Sequence, residues 1–323
     1  QVAFVGLGTM GFPMAGHLAR AGFDTVVFNR TEATAARWSA EHPGRVAATP
    51  AQAASGSDVV CVCVGADDDV RAVLLGPDGA LGALAPGATI VDHTTTSAEL
   101  AAEIAAQAAK VGVGFVDAPV SGGQAGAQAG RLSVMCGGDP DTVERVRPVL
   151  AAYGATITRI GPVGTGQLTK MVNQILVAGA VEGAAEALNF AIAAGLDLDQ
   201  VLPAVSGGAA SSWYLTNRTA TMIRDEFDFG FAVDWMRKDL RICLAEAARR
   251  GVGVPLTELA EADLAASQAR GDGQLDATAI IRLRRPAPTA PTETGTAPTE
   301  TGTASAETGT GAAADVRGTA STD

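Results

Sequence analysis

The stretch VAFVGLGTMGFPMAGHLARAG, residues 2–22, constrains the fold more than any other part of the chain. A short apolar run of strand character meets Gly6, Gly8 and Gly11 and then passes into a helical segment. Each glycine has a task in that setting. Gly6 permits a tight turn, Gly8 lets the backbone approach a pyrophosphate, and Gly11 allows close packing of helix on strand. The helix then opens with free N–H groups and the positive end of its dipole, a combination that holds phosphate. The spacing alone is weak evidence, but its place between strand and helix reads as a dinucleotide turn, with Gly6, Leu7, Gly8, Thr9, Met10 and Gly11 as cofactor-binding residues.

Beyond this turn the first half alternates β-rich runs with alanine-rich helical stretches, which predicts βαβ units and a parallel sheet. The strands are VAFVG from Val2, TVVF from Thr25, DVVCVCV from Asp58, ATIVD from Ala88 and GFVDAPV from Gly114. Helices are expected over Ala15–Ala21, Glu32–Ala40 and Ala98–Ala109. RLSVMCGG from Arg131 and ATITRI from Ala155 flank one more helix and are placed to extend the sheet. From about Thr165 the strand signal stops. Leu168–Gly195 contains neither proline nor a turn cluster and predicts one long helix, followed by helices over Leu198–Val205, Trp213–Met222, residues 232–251 and residues 256–271. The short segment DATAIIRLRR follows. The fold class is therefore α/β: an N-terminal Rossmann doubly wound sheet over 1–162 that binds NADP, then an all-α C-terminal domain over 163–285 for substrate and oligomerisation. Residues 286–323 are poor in apolar side chains and repeat TETGTA at Thr292 and Thr299, a composition expected to be disordered.

A formal net charge of −12 and a pI near 4.7 disfavour a non-specific grip on phosphate backbones or anionic lipid, so neither nucleic acid nor membrane is an expected partner. The three histidines and four cysteines are too few and too scattered for a disulfide framework or a zinc site, and no metal is expected. Cys61 and Cys63 alternate within one strand and read as buried packing. No apolar run approaches about 18 residues and the first strand has no basic leader before it, which makes the cytoplasm the expected location.

The end of the second strand bears on which dinucleotide binds. An NAD site usually carries a carboxylate there for the ribose hydroxyls, whereas a 2'-phosphate needs a cation and hydroxyl donors. Here the residues are Asn29, Arg30 and Thr31, and the planar fork of Arg30 suits a phosphate. NADP is preferred on this reading, with NAD possible if Arg30 is merely solvated and Glu32 takes the ribose.

Two further stretches concentrate polar chemistry. FVDAPVSGGQAGAQAG, residues 115–130, turns a strand into a small-residue loop at Ser121, Gly122 and Gly123, where a hydroxyl and two unobstructed N–H groups suit a carboxylate. In GPVGTGQLTKMVNQ, residues 161–174, a helix places Lys170, Asn173, Gln174 and Val177 on one narrow stripe. The rest of that circumference is apolar, which predicts a buried helix whose polar stripe faces an internal cleft.

These three motifs, in this order and separation, resemble the β-hydroxyacid dehydrogenase family, which includes 3-hydroxyisobutyrate dehydrogenase, tartronate semialdehyde reductase and the glyoxylate/succinic semialdehyde reductases. RKDLRICLAEA resembles a fourth motif of the family, and the resemblance covers residues 1 to about 285. It implies that Lys170 is the catalytic lysine, that Ser121, Gly122 and Gly123 bind substrate, and that Asn173 and Gln174 are the polar helix pair. It also implies a cofactor threonine at Thr95, although DHTTTS departs from the family pattern at His93 and Thr94. Lys238 falls near the cofactor, Asp239 near the catalytic lysine, and Phe231 in the substrate pocket. Val64 and Gly65, where DVVCVCV ends, complete the cofactor set. Many relatives carry Asn at the second polar position, where this chain has Gln174, so the roles of Asn173 and Gln174 stay undivided.

The implied activity interconverts a small carboxylate-bearing aldehyde and its β-hydroxyacid by hydride transfer, with Lys170 as general acid or base and the cofactor carrying the difficult step. A homodimer or homotetramer is expected. Imine reductases share the architecture but usually lack the lysine, and a dehydrogenase-like assembly module has lost it. The retained Lys170 disfavours both, and 6-phosphogluconate dehydrogenase needs a larger helical domain and more phosphate-binding cations.

Overall fold

The first strand is apolar at every position because both of its faces are covered. In β1 (Val2–Val5), Val2 and Phe4 enter one core while Ala3 and Val5 enter another, and all four are buried. The computed structural model describes residues 1–285; the tail expected to be disordered, 286–323, lies outside the described residues. After β1 come α1 (Gly11–Arg20), β2 (Thr25–Phe28), α2 (Glu32–Glu41), β3 (Arg45–Val46), α3 (Pro50–Ala54), β4 (Val59–Val62) and α4 (Asp67–Leu75). They are followed by β5 (Thr89–Asp92), α5 (Ala98–Lys110), β6 (Gly114–Asp117), β7 (Val120–Ser121), α6 (Gly123–Ala129), β8 (Leu132–Gly137), α7 (Pro140–Leu150) and β9 (Gly154–Gly161).

These strands form one sheet in the order β3-β2-β1-β4-β5-β6-β8-β7, with β9 paired to β8. From β3 to β6 every pairing is parallel, whereas β8 runs antiparallel to β6 and β7. The period-two pattern sorts the two cores: Phe4, Cys61 and Val91 pack with Met14, Leu18 and Trp38, while Val5, Val62 and Ile90 pack with Leu74, Leu100 and Ile104. Helices on both faces make this a doubly wound sheet. Because β1 lies between β2 and β4, the winding direction reverses there, and the crevice beyond the C-terminal ends of β1 and β4 is where such sheets take ligands.

The second half contains α8 (Thr165–Ala193), α9 (Leu198–Ser206), α10 (Trp213–Ile223), α11 (Val233–Arg250) and α12 (Pro255–Ser267). A short 3-10 helix, Ala277–Arg284, closes a third core built on Val181, Leu188, Met222, Met236, Leu240, Leu264 and Ile280. Helix α8 is the spine of the molecule: it touches β6 to β9 at one end and packs on α10, α11 and α12 along its length.

Three expectations need correction. GFVDAPV is not one strand: β6 stops at Asp117, and Val120–Ser121 pairs antiparallel with β8. Pro119 explains the break, since it has no N–H to continue the ladder. Helix α8 is not buried all round, because Val172, Leu176 and Phe190 are exposed on one side of it. Its 29 residues also contain an 18-residue window of mean hydropathy 1.5, long and apolar enough by length and composition to cross a membrane, with 44% of that window buried inside the fold. Counting uninterrupted apolar runs does not register this, because Glu182, Glu186 and Asn189 punctuate a segment whose average is nonetheless apolar.

The break after β6 has a use. Asp117 is fully buried, and its two carboxylate oxygens accept the Gly164 N–H at 2.8 Å and the Gln167 N–H at 2.9 Å, at the start of α8. Burial pushes its pKa up to about 6, against the pull of the backbone donors. Asp117→Ala leaves those donors without acceptors, at about 1–3 kcal/mol for each buried group left unpaired. Urea unfolding should show a midpoint clearly below that of the parent protein; an unchanged midpoint would mean that Asp117 does not anchor α8.

Candidate active site

The glycine turn is closed below and open above. Gly6 has φ +98°, and a Cβ there would lie 2.2 Å from the Cys63 carbonyl oxygen; a Cβ on Gly11 would lie 2.0 Å from the Gly6 carbonyl oxygen. No side chain fits at either place. At exposed Gly8, in contrast, nothing lies within 4 Å of a Cβ position. Helix α1 also starts without a side-chain cap, whereas Thr49, Ser97 and Asp139 cap α3, α5 and α7. An open backbone beside uncapped N–H groups fits a pyrophosphate.

Around the turn, Asn29 Oδ1 accepts the Leu7 N–H at 2.9 Å and Asn29 Nδ2 donates to the Thr31 carbonyl at 3.1 Å, so this amide ties the turn to the end of β2. Thr9 and Thr31 are exposed and Met10 is half-buried. The Arg30 side chain is 88% exposed and makes one ion pair, 3.2 Å to Asp69 Oδ1, which leaves most of its fork available to a ligand.

The loop after β5 is braced from several sides. Thr94 Oγ1 accepts the Val64 N–H, and Asp92 accepts the Thr94 N–H. Burial pushes Asp92 up to about 7. His93 is buried and depressed to about 4 by that burial, hence neutral; its Nδ1 donates to the Ala118 carbonyl at 2.7 Å and its Nε2 accepts the Tyr153 hydroxyl at 2.8 Å. The departure from the family pattern at His93 is thus absorbed by packing beneath the cleft. Gln167 Nε2 donates to the Thr94 carbonyl and its Oε1 accepts the Thr96 N–H, fixing half-buried Thr95 between them. Lys238 reaches across from α11, donating to the Thr95 carbonyl at 2.6 Å and the Gly65 carbonyl at 3.1 Å.

Next to this bridge lies the polar stripe of α8. Lys170 is 8% exposed, and burial lowers its pKa from the ordinary lysine value, with Asp239 opposing the change and Lys238 adding to it. Asn173 Nδ2 donates to Gln174 Oε1 at 2.8 Å, and Gln174 Nε2 donates to Asp239 Oδ2 at 2.7 Å. Lys238 Nζ lies 2.9 Å from Asp239 Oδ1, an ion pair without hydrogen-bond geometry. Asp239 therefore pairs with Lys238 and ends the chain of amides, and its charge favours the Lys170 ammonium. The arrangement suits a lysine that gives up its proton at a lower pH than a solvated one.

Ser121, Gly122 and Gly123 lie where β7 turns into α6, on the strand against which α8 packs. Gly122 and Gly123 have φ +127° and +60°, and both are exposed. Phe231 is half-buried at the edge of the helical core, and its N–H donates to Asp276. Gln167 was missed in the sequence, although it precedes Lys170 by three positions and extends the same stripe.

Residues 1–161 match the profile of the NAD-binding domain of 6-phosphogluconate dehydrogenase, and residues 164–284 match that of the NAD-binding region of NADP-dependent 3-hydroxyisobutyrate dehydrogenase. An uncharacterised oxidoreductase of Shewanella frigidimarina is 51% identical over 87% of this chain and 97% of its own. The 2-hydroxy-3-oxopropionate reductase of Escherichia coli is 38% identical over 87% of this chain and 96% of its own. Among solved structures, 3-hydroxyisobutyrate dehydrogenase from Salmonella typhimurium superposes with a TM-score of 0.80 at 31% identity, covering 87% of this chain and 99% of that one.

Proposed function

The chain belongs to the β-hydroxyacid dehydrogenase family and is an NAD(P)-dependent oxidoreductase, and on that premise we propose that it interconverts a small β-hydroxyacid and its semialdehyde with Lys170 as the proton-exchanging group. The observation that carries this reading is the buried Lys170 ammonium set against Asp239 at the end of a hydrogen-bonded amide pair. The bound nicotinamide supplies or accepts the hydride. Lys170 Nζ, when charged, gives a proton to the forming alkoxide; when neutral, it takes the hydroxyl proton of the acid. Gln174 is already bound to Asp239, which leaves Asn173 as the amide better placed to orient the substrate oxygen. Ser121 Oγ and the N–H groups of Gly122 and Gly123 bind the carboxylate.

In this reading residues 1–162 carry the cofactor and residues 163–285 the helical side of the substrate pocket. The exposed Val172, Leu176 and Phe190 support self-association into a dimer or tetramer. The test is a kinetic panel of methylmalonate semialdehyde, tartronate semialdehyde, glyoxylate and succinic semialdehyde, with a cyclic imine alongside. Reduction of the imine with no turnover of any carboxylate-bearing aldehyde would overturn the assignment.

Arg30 assigns the cofactor preference to NADP. Arg30→Ala should raise the KM for NADPH by roughly 10- to 100-fold, in line with loss of a charge-assisted hydrogen bond worth about 1.5–3 kcal/mol, and leave the KM for NADH nearly unchanged. An unaltered ratio of the two would remove Arg30 from cofactor selection.

A further inference from the structure

Trp235 belongs to none of the motifs, yet it stands at the crevice. It occupies the first turn of α11, three residues before Lys238, and exposes 47% of its surface. Its six-membered ring lies against Gly65: a Cβ at that glycine would sit 3.1 Å from Trp235 Cη2 and 2.5 Å from Asp69 Oδ2. Lys238 Nζ is 5.9 Å from a Trp235 ring centroid and hydrogen-bonded to the Gly65 carbonyl. Asp69 in turn pairs with Arg30. The contacts make a continuous row across the C-terminal ends of β2, β4 and β5, from Arg30 through Asp69, Gly65 and Trp235 to Lys238 and Thr95.

This row connects the cation suited to a 2'-phosphate with the cation beside Lys170. A dinucleotide with its pyrophosphate at Gly8 and its ends at those two cations has to run along it. We propose that Trp235 is a cofactor-contacting residue, its indole covering the bound dinucleotide between Arg30 and Lys238 so that the helical half closes over the cofactor. The proposal rests on the reading of this crevice as the NADP site. Gly65 admits the contact, because any side chain there would displace both the indole and Asp69. An indole offers a large apolar face at little cost in rotamer entropy, and it gains from being removed from water by a ribose or a base.

The test uses the full chain and NADPH alone. Reduced nicotinamide absorbs where tryptophan emits, so a nearby tryptophan transfers its excitation to it. Of the three tryptophans, Trp38 is buried in the sheet core and Trp213 is 52% exposed on α10. Trp235→Phe should remove most of the NADPH-dependent quenching, and Trp235→Ala should raise the calorimetric Kd about tenfold, about 1.4 kcal/mol. Trp213→Phe should leave the Kd unchanged. Wild-type NADPH affinity in Trp235→Ala would overturn the proposal, as would that affinity together with a changed oligomeric state, which would make Trp235 a subunit contact. If the unmodified protein bound neither NADPH nor NADH, the underlying NADP assignment would fail instead.

Discussion

Lys170→Ala is expected to lower turnover by about 10²–10⁴, the usual contribution of a positioned acid or base, while NADPH still binds with the affinity of the parent protein. The fold should survive, because Asp239 keeps its partners in Lys238 and Gln174 when the ammonium is lost. The pH dependence separates proton transfer from simple charge. Burial lowers the pKa of Lys170, so the neutral amine becomes accessible at a lower pH than for a solvated lysine. Oxidation of the hydroxyacid needs that amine, and its rate should rise with pH through the lowered value and then level off. Aldehyde reduction needs the ammonium and should fall over the same range. Lys170→Arg keeps a positive charge on a group that does not deprotonate, so oxidation should be lost even where substrate binds. Retention of more than a tenth of the turnover by the alanine variant, with both pH limbs in place, would assign the proton to another group.

Much of this site was legible because its signals are local. The glycine turn depends on three positions within one short stretch, and the structure shows the steric reason for two of them at Gly6 and Gly11. The stripe on α8 follows from helical period, and Gln167 shows that the same period reached one turn further than was read. What the sequence concealed is non-local. Asp117 sits inside an apparent strand, and only the packing of α8 on β6 reveals it as the acceptor for that helix's first N–H groups. His93 stands in the sequence only as a departure from the family pattern, and its partners, Ala118 and Tyr153, lie far along the chain. Trp235 reads as one more apolar residue until α11 is laid across Gly65. Exposure of Val172, Leu176 and Phe190 was equally hidden, since an apolar circumference does not say which neighbours cover it.

Asp239→Asn should move the catalytic pH profile without removing the site. Asp239 is 3% exposed, pairs with Lys238 through one oxygen and accepts Gln174 Nε2 on the other, and its charge favours the Lys170 ammonium. An asparagine oxygen still accepts from Gln174, so the amide pair keeps its register. The negative charge is gone, however, and it is the influence that holds the pKa of Lys170 up against burial, while Lys238 pushes in the same direction as burial. The pKa of Lys170 must then fall further. The rise of the oxidation rate and the fall of the reduction rate should both shift to lower pH, because the lysine then loses its proton earlier. Asp239→Ala goes further: it leaves the buried Gln174 amide without its acceptor, at about 1–3 kcal/mol, and takes the counter-charge from Lys238. Thermal unfolding should therefore rank the parent protein above Asp239→Asn and that variant above Asp239→Ala. An asparagine variant whose oxidation profile stays where the parent's lies would show that Asp239 supports the fold without setting the charge of Lys170.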